Sequence, residues 1–178
     1  MSAQKEKISK EEAFRQVKSM ITRAALIHYS FAKTLVEELG EKRGKALTKK
    51  ASLLYGKIVG QRVREKTLAK GLPLTRENFQ DDLPALGWAE RERVKVGGET
   101  RSRVHTCHLA QVWQELGAPD LGRLYCYVDQ GKYRAYNPDL RCVHVKNVLD
   151  GDPYCELAVR TKRSQRAKDA EHKSKSKK

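Results

Sequence analysis

Val94-Lys-Val-Gly-Gly-Glu-Thr-Arg-Ser-Arg-Val-His-Thr106 is where the chain changes its period. Val94 and Val96 alternate with charged residues, Gly97-Gly98 is the two-residue signature of a hairpin turn, and Thr100, Ser102, Val104 and Thr106 carry the alternation on. Upstream, the spacing is helical. Ser9-Lys-Glu-Glu12 reads as a capping box, in which the Ser9 hydroxyl accepts the residue-12 amide and Glu12 reaches back to the Ser9 amide. Phe14, Val17, Ile21, Ala24, Phe31, Leu35 and Leu39 then mark an apolar stripe, interrupted by His28, that stops at Gly40. A second helix is expected over about 42–70, with Leu47, Ala51, Leu54, Ile58 and Val63 at helical spacing and Gly56 and Gly60 placed for close backbone approach. Thr75, Glu77 and Asn78 suggest one short helical turn before Pro84.

Downstream of the hairpin, Leu109, Val112, Trp113 and Leu116 return to helical spacing until Gly117-Ala-Pro119, and Asp120 is placed to cap a further short helix to about Cys126. Tyr133 to Tyr136, Leu140 to Val148 and Tyr154 to Arg160 read as strands, the last two joined by the turn Asp150-Gly-Asp-Pro153. The expected fold is α+β: two long N-terminal helices packed on an antiparallel β-sheet with a short helical insert. A single domain is expected over 9–160, helical over 9–84 and mainly sheet over 88–160, between disordered ends at 1–8 and 161–178.

The 178 residues include 37 Lys+Arg against 22 Asp+Glu, a net charge of +15, and the excess sits in two places. Residues 161–178 hold eight Lys/Arg against two acids and no apolar side chain larger than alanine, too little to order a segment. Residues 41–70 hold ten against two, read as the solvated face of a packed helix. RNA or DNA binding rests on these segments alone, with no aromatic-basic interleaving behind it, and is not favoured. No apolar run approaches the ~18 residues of a membrane span and the first residues lack an apolar leader, so no membrane is expected as a partner and the cytoplasm is the expected location. The absence of a GxGxxG or P-loop pattern argues against a nucleotide cofactor.

The chemistry-bearing residues lie between 105 and 155. His28, inside the first stripe, reads as a core histidine. Cys107 falls where a strand enters a helix, so its thiol can face free helix amides that favour the thiolate. Cys126 and Asp129 are three apart and share a face if that segment is helical. Cys142 and His144 share a strand face, and Cys155 begins the strand that returns beside them. Cys142 reads as a buried small hydrophobe. Cys107, Cys126 and Cys155 with a histidine or aspartate are a candidate soft-metal set, although their spacings are not those of a finger or ribbon.

Cys107-His-Leu-Ala-Gln-Val-Trp-Gln-Glu-Leu-Gly117, Leu124-Tyr-Cys-Tyr-Val-Asp129, Tyr136-Asn-Pro138 and Gly151-Asp-Pro-Tyr-Cys-Glu156 together resemble the L-2-amino-thiazoline-4-carboxylic acid hydrolase family. The resemblance implies hydrolytic opening of a five-membered cyclic isothiourea to N-carbamoyl-cysteine, and its thiol and acid positions fall on Cys107, Cys126, Asp129 and Cys155. The Gly-Asp-x-x-Cys ending is also similar to 4-vinyl reductase-type domains, small-molecule-binding modules in which Cys and Glu residues can hold zinc. The upstream positions of that pattern fall here on His144 and Asn147, and the asparagine departs from it.

The expected function is a small hydrolase acting on a cyclic C–N or C–S substrate; the alternative is a non-catalytic ligand sensor with a structural zinc. In the hydrolase reading Cys126 is nucleophile or metal ligand, Asp129 base or ligand, His144 the acid–base residue, and Arg134 or Arg141 the partner of a substrate carboxylate. A divalent zinc or iron on Cys107, Cys126 and Cys155 is the expected cofactor, a small molecule the expected ligand, and a homodimer through the N-terminal helices the expected assembly.

Overall fold

The computed structural model describes residues 8–80, 82–84 and 89–162. The expected disordered ends lie outside these residues, apart from Ile8, Thr161 and Lys162, as does Trp88, where the strand region was expected to begin. The order of elements is α1 (Lys10–Leu39), α2 (Glu41–Ala69), β1 (Ala89–Val96), β2 (Glu99–Cys107), α3 (His108–Glu115), α4 (Pro119–Tyr125), α5 (Tyr127–Tyr136), β3 (Leu140–Lys146) and β4 (Cys155–Thr161). The four strands form one antiparallel sheet in the order β1-β2-β4-β3. Two long helices, an antiparallel sheet and a short helical insert make the α+β fold that the pattern predicts.

The Ser9 hydroxyl accepts the Glu12 amide at 3.1 Å and starts α1, but the Glu12 carboxylate turns to Arg15 and Gln16 instead of closing the capping box. Gly40 alone joins the long helices, at a φ of 77° that favours glycine, so α1 and α2 form a tight antiparallel hairpin. Ile21 and Ala25 of α1 pack on Leu109 and Trp113 of α3, and the Trp113 indole donates to the Ala25 carbonyl at 3.0 Å. A second cluster joins Val63 of α2, Tyr136 of α5 and Leu140 of β3.

Three local expectations are corrected. The packed face of α2 is Gly44, Thr48, Ser52, Gly56, Gly60, Val63 and Thr67, while Leu47, Leu54 and Ile58 are exposed. Small residues win that face because α5 lies against it backbone to backbone: a Cβ at Gly56 would collide with the Val128 carbonyl and one at Gly60 with that of Lys132. The hydroxyls of Thr48, Ser52 and Thr67 are satisfied within the helix by carbonyls four residues back. Second, Tyr133–Tyr136 is the last turn of α5 and not a strand. Tyr133 stacks on Phe79 and Tyr136 meets the same ring edge-on, so packing three residues apart on a helix overrides the strand preference of tyrosine. Third, α4 is opened by Pro119 at its first turn after Ala118, and Asp120 pairs with Lys45 of α2 at 2.8 Å instead of capping.

The segment Thr75–Asn78 is a turn, closed by the Phe79 amide on the Arg76 carbonyl. The face of the sheet away from the helices carries a charge lattice, with Glu156 held by Arg101 at 2.7 Å and Arg103 at 3.0 Å, and Glu99 by Arg160 at 2.7 Å. No described helix is long and apolar enough to cross a membrane.

Candidate active site

A cavity of about 780 Å³ lies between the inner face of the sheet and the α2–α5 layer. Its reactive end is assembled from three places. The glycine contacts that press α5 onto α2 fix the backbone of Asp129 and Lys132, β3 presents Cys142 and His144 on one face, and the α4–α5 junction contributes Cys126.

Asp129 is the centre. Its Oδ2 lies 3.3 Å from His144 Nε2 and its Oδ1 lies 3.0 Å from Lys132 Nζ, which also donates to Asp82 Oδ2 at 2.7 Å. Burial by itself would raise the Asp129 carboxyl, but the Lys132 ammonium and the His144 contact outweigh it and hold the group well below the usual carboxylate range. Burial likewise opposes the Lys132 charge, and the carboxylates of Asp129 and Asp82 outweigh it, so the ammonium is held above its ordinary value. An ionised Asp129 beside Nε2 favours a proton on that nitrogen over one on Nδ1. Asp129 still keeps 25% of its side-chain surface accessible and lines the cavity, so the ionised group can meet a ligand.

Burial raises all four thiols above their ordinary value. Burial pushes Cys126 up to about 12, against the pull of the Asn147 amide, which donates to its sulfur at 3.5 Å. Cys107 is the residue before α3, as expected, and the Leu109 and Ala110 amides do lower its pKa; burial is the larger effect and raises it, which corrects the expected thiolate. Burial also raises Cys142, far above its ordinary value, and Cys155.

The expected metal set Cys107, Cys126 and Cys155 is not gathered into a ligand group. Among the described residues no three His, Cys, Asp or Glu side chains converge to hold an ion. Two of the sulfurs accept hydrogen bonds from the protein, Cys126 from Asn147 and Cys155 from the Val148 amide at 3.4 Å. Arg134 and Arg141 are not among the residues that line the cavity. Arg141 donates to the carbonyls of Pro138 and Leu140, and Arg134 is exposed. His28 is the core histidine expected, 2.9 Å from the Leu121 carbonyl and edge-on to Trp113 and Tyr125.

Two contributors, Lys132 and Asp82, escape the sequence reading, and a third, Asn147, enters it only as a departure from a zinc pattern. Lys132 is three residues from Asp129, a pair visible only once the segment is read as a helix. Asp82 reaches the site across 50 positions and carries no local signal. Asn147, 1% exposed, is fixed by the Asp150-Gly-Asp-Pro153 turn: Asp152 accepts its amide at 2.8 Å, and its own Oδ1 accepts the Leu149 amide at 2.9 Å. The turn read from sequence as a strand connector therefore also holds the amide that touches Cys126.

A family model for L-2-amino-thiazoline-4-carboxylic acid hydrolase matches residues 3–159. The chain belongs to that family. No curated protein matches it. The match covers every described element up to Val159 of β4, including the segments that form both walls of the cavity.

Proposed function

We propose that the cavity hydrolyses a cyclic amidine or isothiourea of the type in the family's name, at the Asp129–His144 pair. The observation that supports this most directly is a carboxylate kept ionised by Lys132, in contact with a histidine, on the wall of a cavity large enough for a small molecule.

The chemistry requires a water to add to the ring carbon between nitrogen and sulfur, and a proton to reach the departing atom. Asp129 orients the His144 ring through Nε2, leaving Nδ1 as the base that takes a proton from the attacking water. The new C–O bond forms as the ring C–S bond breaks, and the imidazolium returns its proton to the leaving sulfur, giving a ring-opened N-carbamoyl thiol. The ionised carboxylate also favours a protonated amidine, whose ring carbon is the better electrophile. Cys126, a thiol with its sulfur next to Asn147, can act as nucleophile only after giving its proton to a base, so water is the attacking group in this reading and Cys126 a wall of the site.

The test is turnover of 2-amino-thiazoline-4-carboxylate followed by release of free thiol. The native chain is expected to release it, Asp129→Asn and His144→Gln to lose at least 100-fold in kcat, and Cys126→Ala to lose less than tenfold. Full activity in Asp129→Asn would remove the assignment, and a Cys126→Ala loss equal to that of His144→Gln would make the thiol the nucleophile.

A further inference from the structure

The cavity continues well past the reactive cluster. Residues two apart on a strand share a face, and the cavity wall uses that face on every strand: His144 on β3, Leu157 on β4, Val104 on β2, and both Arg91 and Arg93 on β1. β3 and β1 are opposite edges of the sheet, so with neighbouring strands roughly 4.8 Å apart their backbones stand about 14 Å apart. A single five-membered ring held at His144 is too short to reach the β1 edge. The volume of about 780 Å³ is in the range that holds drug-sized ligands.

The cations of the two ends differ. Lys132 is saturated by Asp129 and Asp82. Glu92, between the two arginines, is turned to Arg103 and His105. The side chains of Arg91 and Arg93 make no hydrogen bond or ion pair among the described residues. Arg91 and Cys107 line the same cavity, and the Arg91 charge acts to lower that thiol's pKa. Between the ends the wall is mostly apolar, with Val104, Leu157 and Cys155 of the sheet and Val128 of α5 lining it and the small hydroxyl of Ser102 between Leu157 and Arg93.

We infer that the cavity takes an elongated anion: a cyclic amidine or isothiourea head at Asp129, an apolar body along Val104 and Leu157, and a carboxylate or comparable anion on Arg91 and Arg93. Which end reacts rests on the hydrolase reading; the length and polarity of the ligand do not. The two arginines take the anchoring role that the sequence assigned to Arg134 and Arg141.

Three probes separate these statements by calorimetry: 2-amino-thiazoline-4-carboxylate, a 2-amino-thiazoline carrying a carboxylate at the end of a phenyl-propyl spacer, and the uncharged amide of that longer molecule. The long carboxylate is expected to bind at least tenfold tighter than either of the others, and the Arg91→Gln/Arg93→Gln chain to lose that gain while binding the amide unchanged. Equal affinity for the short and long carboxylates, or equal weakening of carboxylate and amide in the double variant, overturns the inference. If the binding pattern holds while the native chain turns over none of the probes, the hydrolase reading falls and the ligand class stands.

A different observation carries a second inference. Met20, Ala24, Ile27 and Phe31 on α1 and Leu47, Ala51, Leu54 and Ile58 on α2 each follow a 4,3 or 3,4 spacing, and the large ones are exposed, Met20 at 64% and Phe31 at 69%. One residue separates the helices, and each stripe lies apart from the buried positions of its own helix. The six large residues of the two stripes are between 37% and 69% exposed, so pairing two such faces removes six large apolar side chains per chain from water. α2 holds nine Lys/Arg against two Glu and α1 five against four, so a partner helix of α1 type suits α2 better than a second α2.

We also infer that this face pairs with a second copy of the chain, α1 against the partner's α2, as a four-helix bundle. Sedimentation at micromolar concentration is expected to give a dimer for the native chain and a monomer for Leu54→Glu, with the helical circular dichroism of both alike. A monomeric native chain, or one that binds anionic vesicles through this face while staying monomeric in solution, overturns it.

Discussion

Lys132 Nζ stands 3.0 Å from Asp129 Oδ1 and 2.7 Å from Asp82 Oδ2, one buried ammonium shared by two carboxylates. Each member needs the others, because a charge left alone in such a place keeps its full desolvation penalty. Removing the cation as Lys132→Met is therefore expected to destabilise the fold by about 3–5 kcal/mol, more than Asp82→Asn, which leaves Lys132 its second partner. Urea unfolding of the two variants checks the order; equal losses would mean that the cluster is not cooperative.

The same cluster sets a pH dependence. The Asp129 carboxyl is held below its unfolded value, so its contribution to stability is complete above about pH 4, the ordinary carboxylate value, and is lost as pH falls toward the lower folded value. Lys132 is raised, so its contribution persists through neutral pH and is lost only above about pH 10. The difference in Tm between the native chain and Asp129→Asn is expected to stay constant from pH 7 to 5 and to shrink below pH 4. A difference that shrinks already between pH 7 and 5 would mean that the carboxyl is not held ionised.

Much of this site was legible in the sequence, and the parts that were not share a physical cause. Cys142 and His144 share the expected strand face, and Cys126 and Asp129 line one cavity, because period-2 and i,i+3 relations are local. The α2 packing face was misread because hydrophobicity ranks Leu54 above Gly56, whereas the backbone approach of α5 rewards the absence of a side chain. Reading Tyr133–Tyr136 as a strand hid Lys132, since only a helix places it beside Asp129. Asp82 had no local signal at all. The arginines followed the same logic: Arg134 and Arg141 are near the cluster in sequence, whereas Arg91 and Arg93 enter the cavity through strand order.

The α2–α5 contact makes a prediction that separates position from chemistry. Gly60→Ala puts a methyl against the Lys132 carbonyl, with backbone rather than a flexible side chain in its way, so α5 must move. The expected cost is about 1–3 kcal/mol. Because α5 carries Asp129 and Lys132, turnover is expected to fall further than stability alone explains at temperatures where the variant is fully folded. Gly40→Ala is the control: a Cβ there has open space, and its cost comes only from the positive φ. Unchanged activity in folded Gly60→Ala would show that the close approach is structural only.

The thiols give the last prediction. A Cys126 pKa of about 12 leaves a very small thiolate fraction at neutral pH, and alkylation proceeds through the thiolate. Iodoacetamide labelling followed by peptide-resolved mass spectrometry should find Cys126 reacting far more slowly than an unfolded control at pH 7.5, with a rate rising about tenfold per pH unit and no plateau by pH 10. Asn147 opposes the upward shift by donating to the sulfur, so Asn147→Ala should slow the labelling further if access is unchanged. A plateau near pH 7 would mean an ionised Cys126 at rest, and would move the nucleophile of the proposed hydrolysis from water to sulfur.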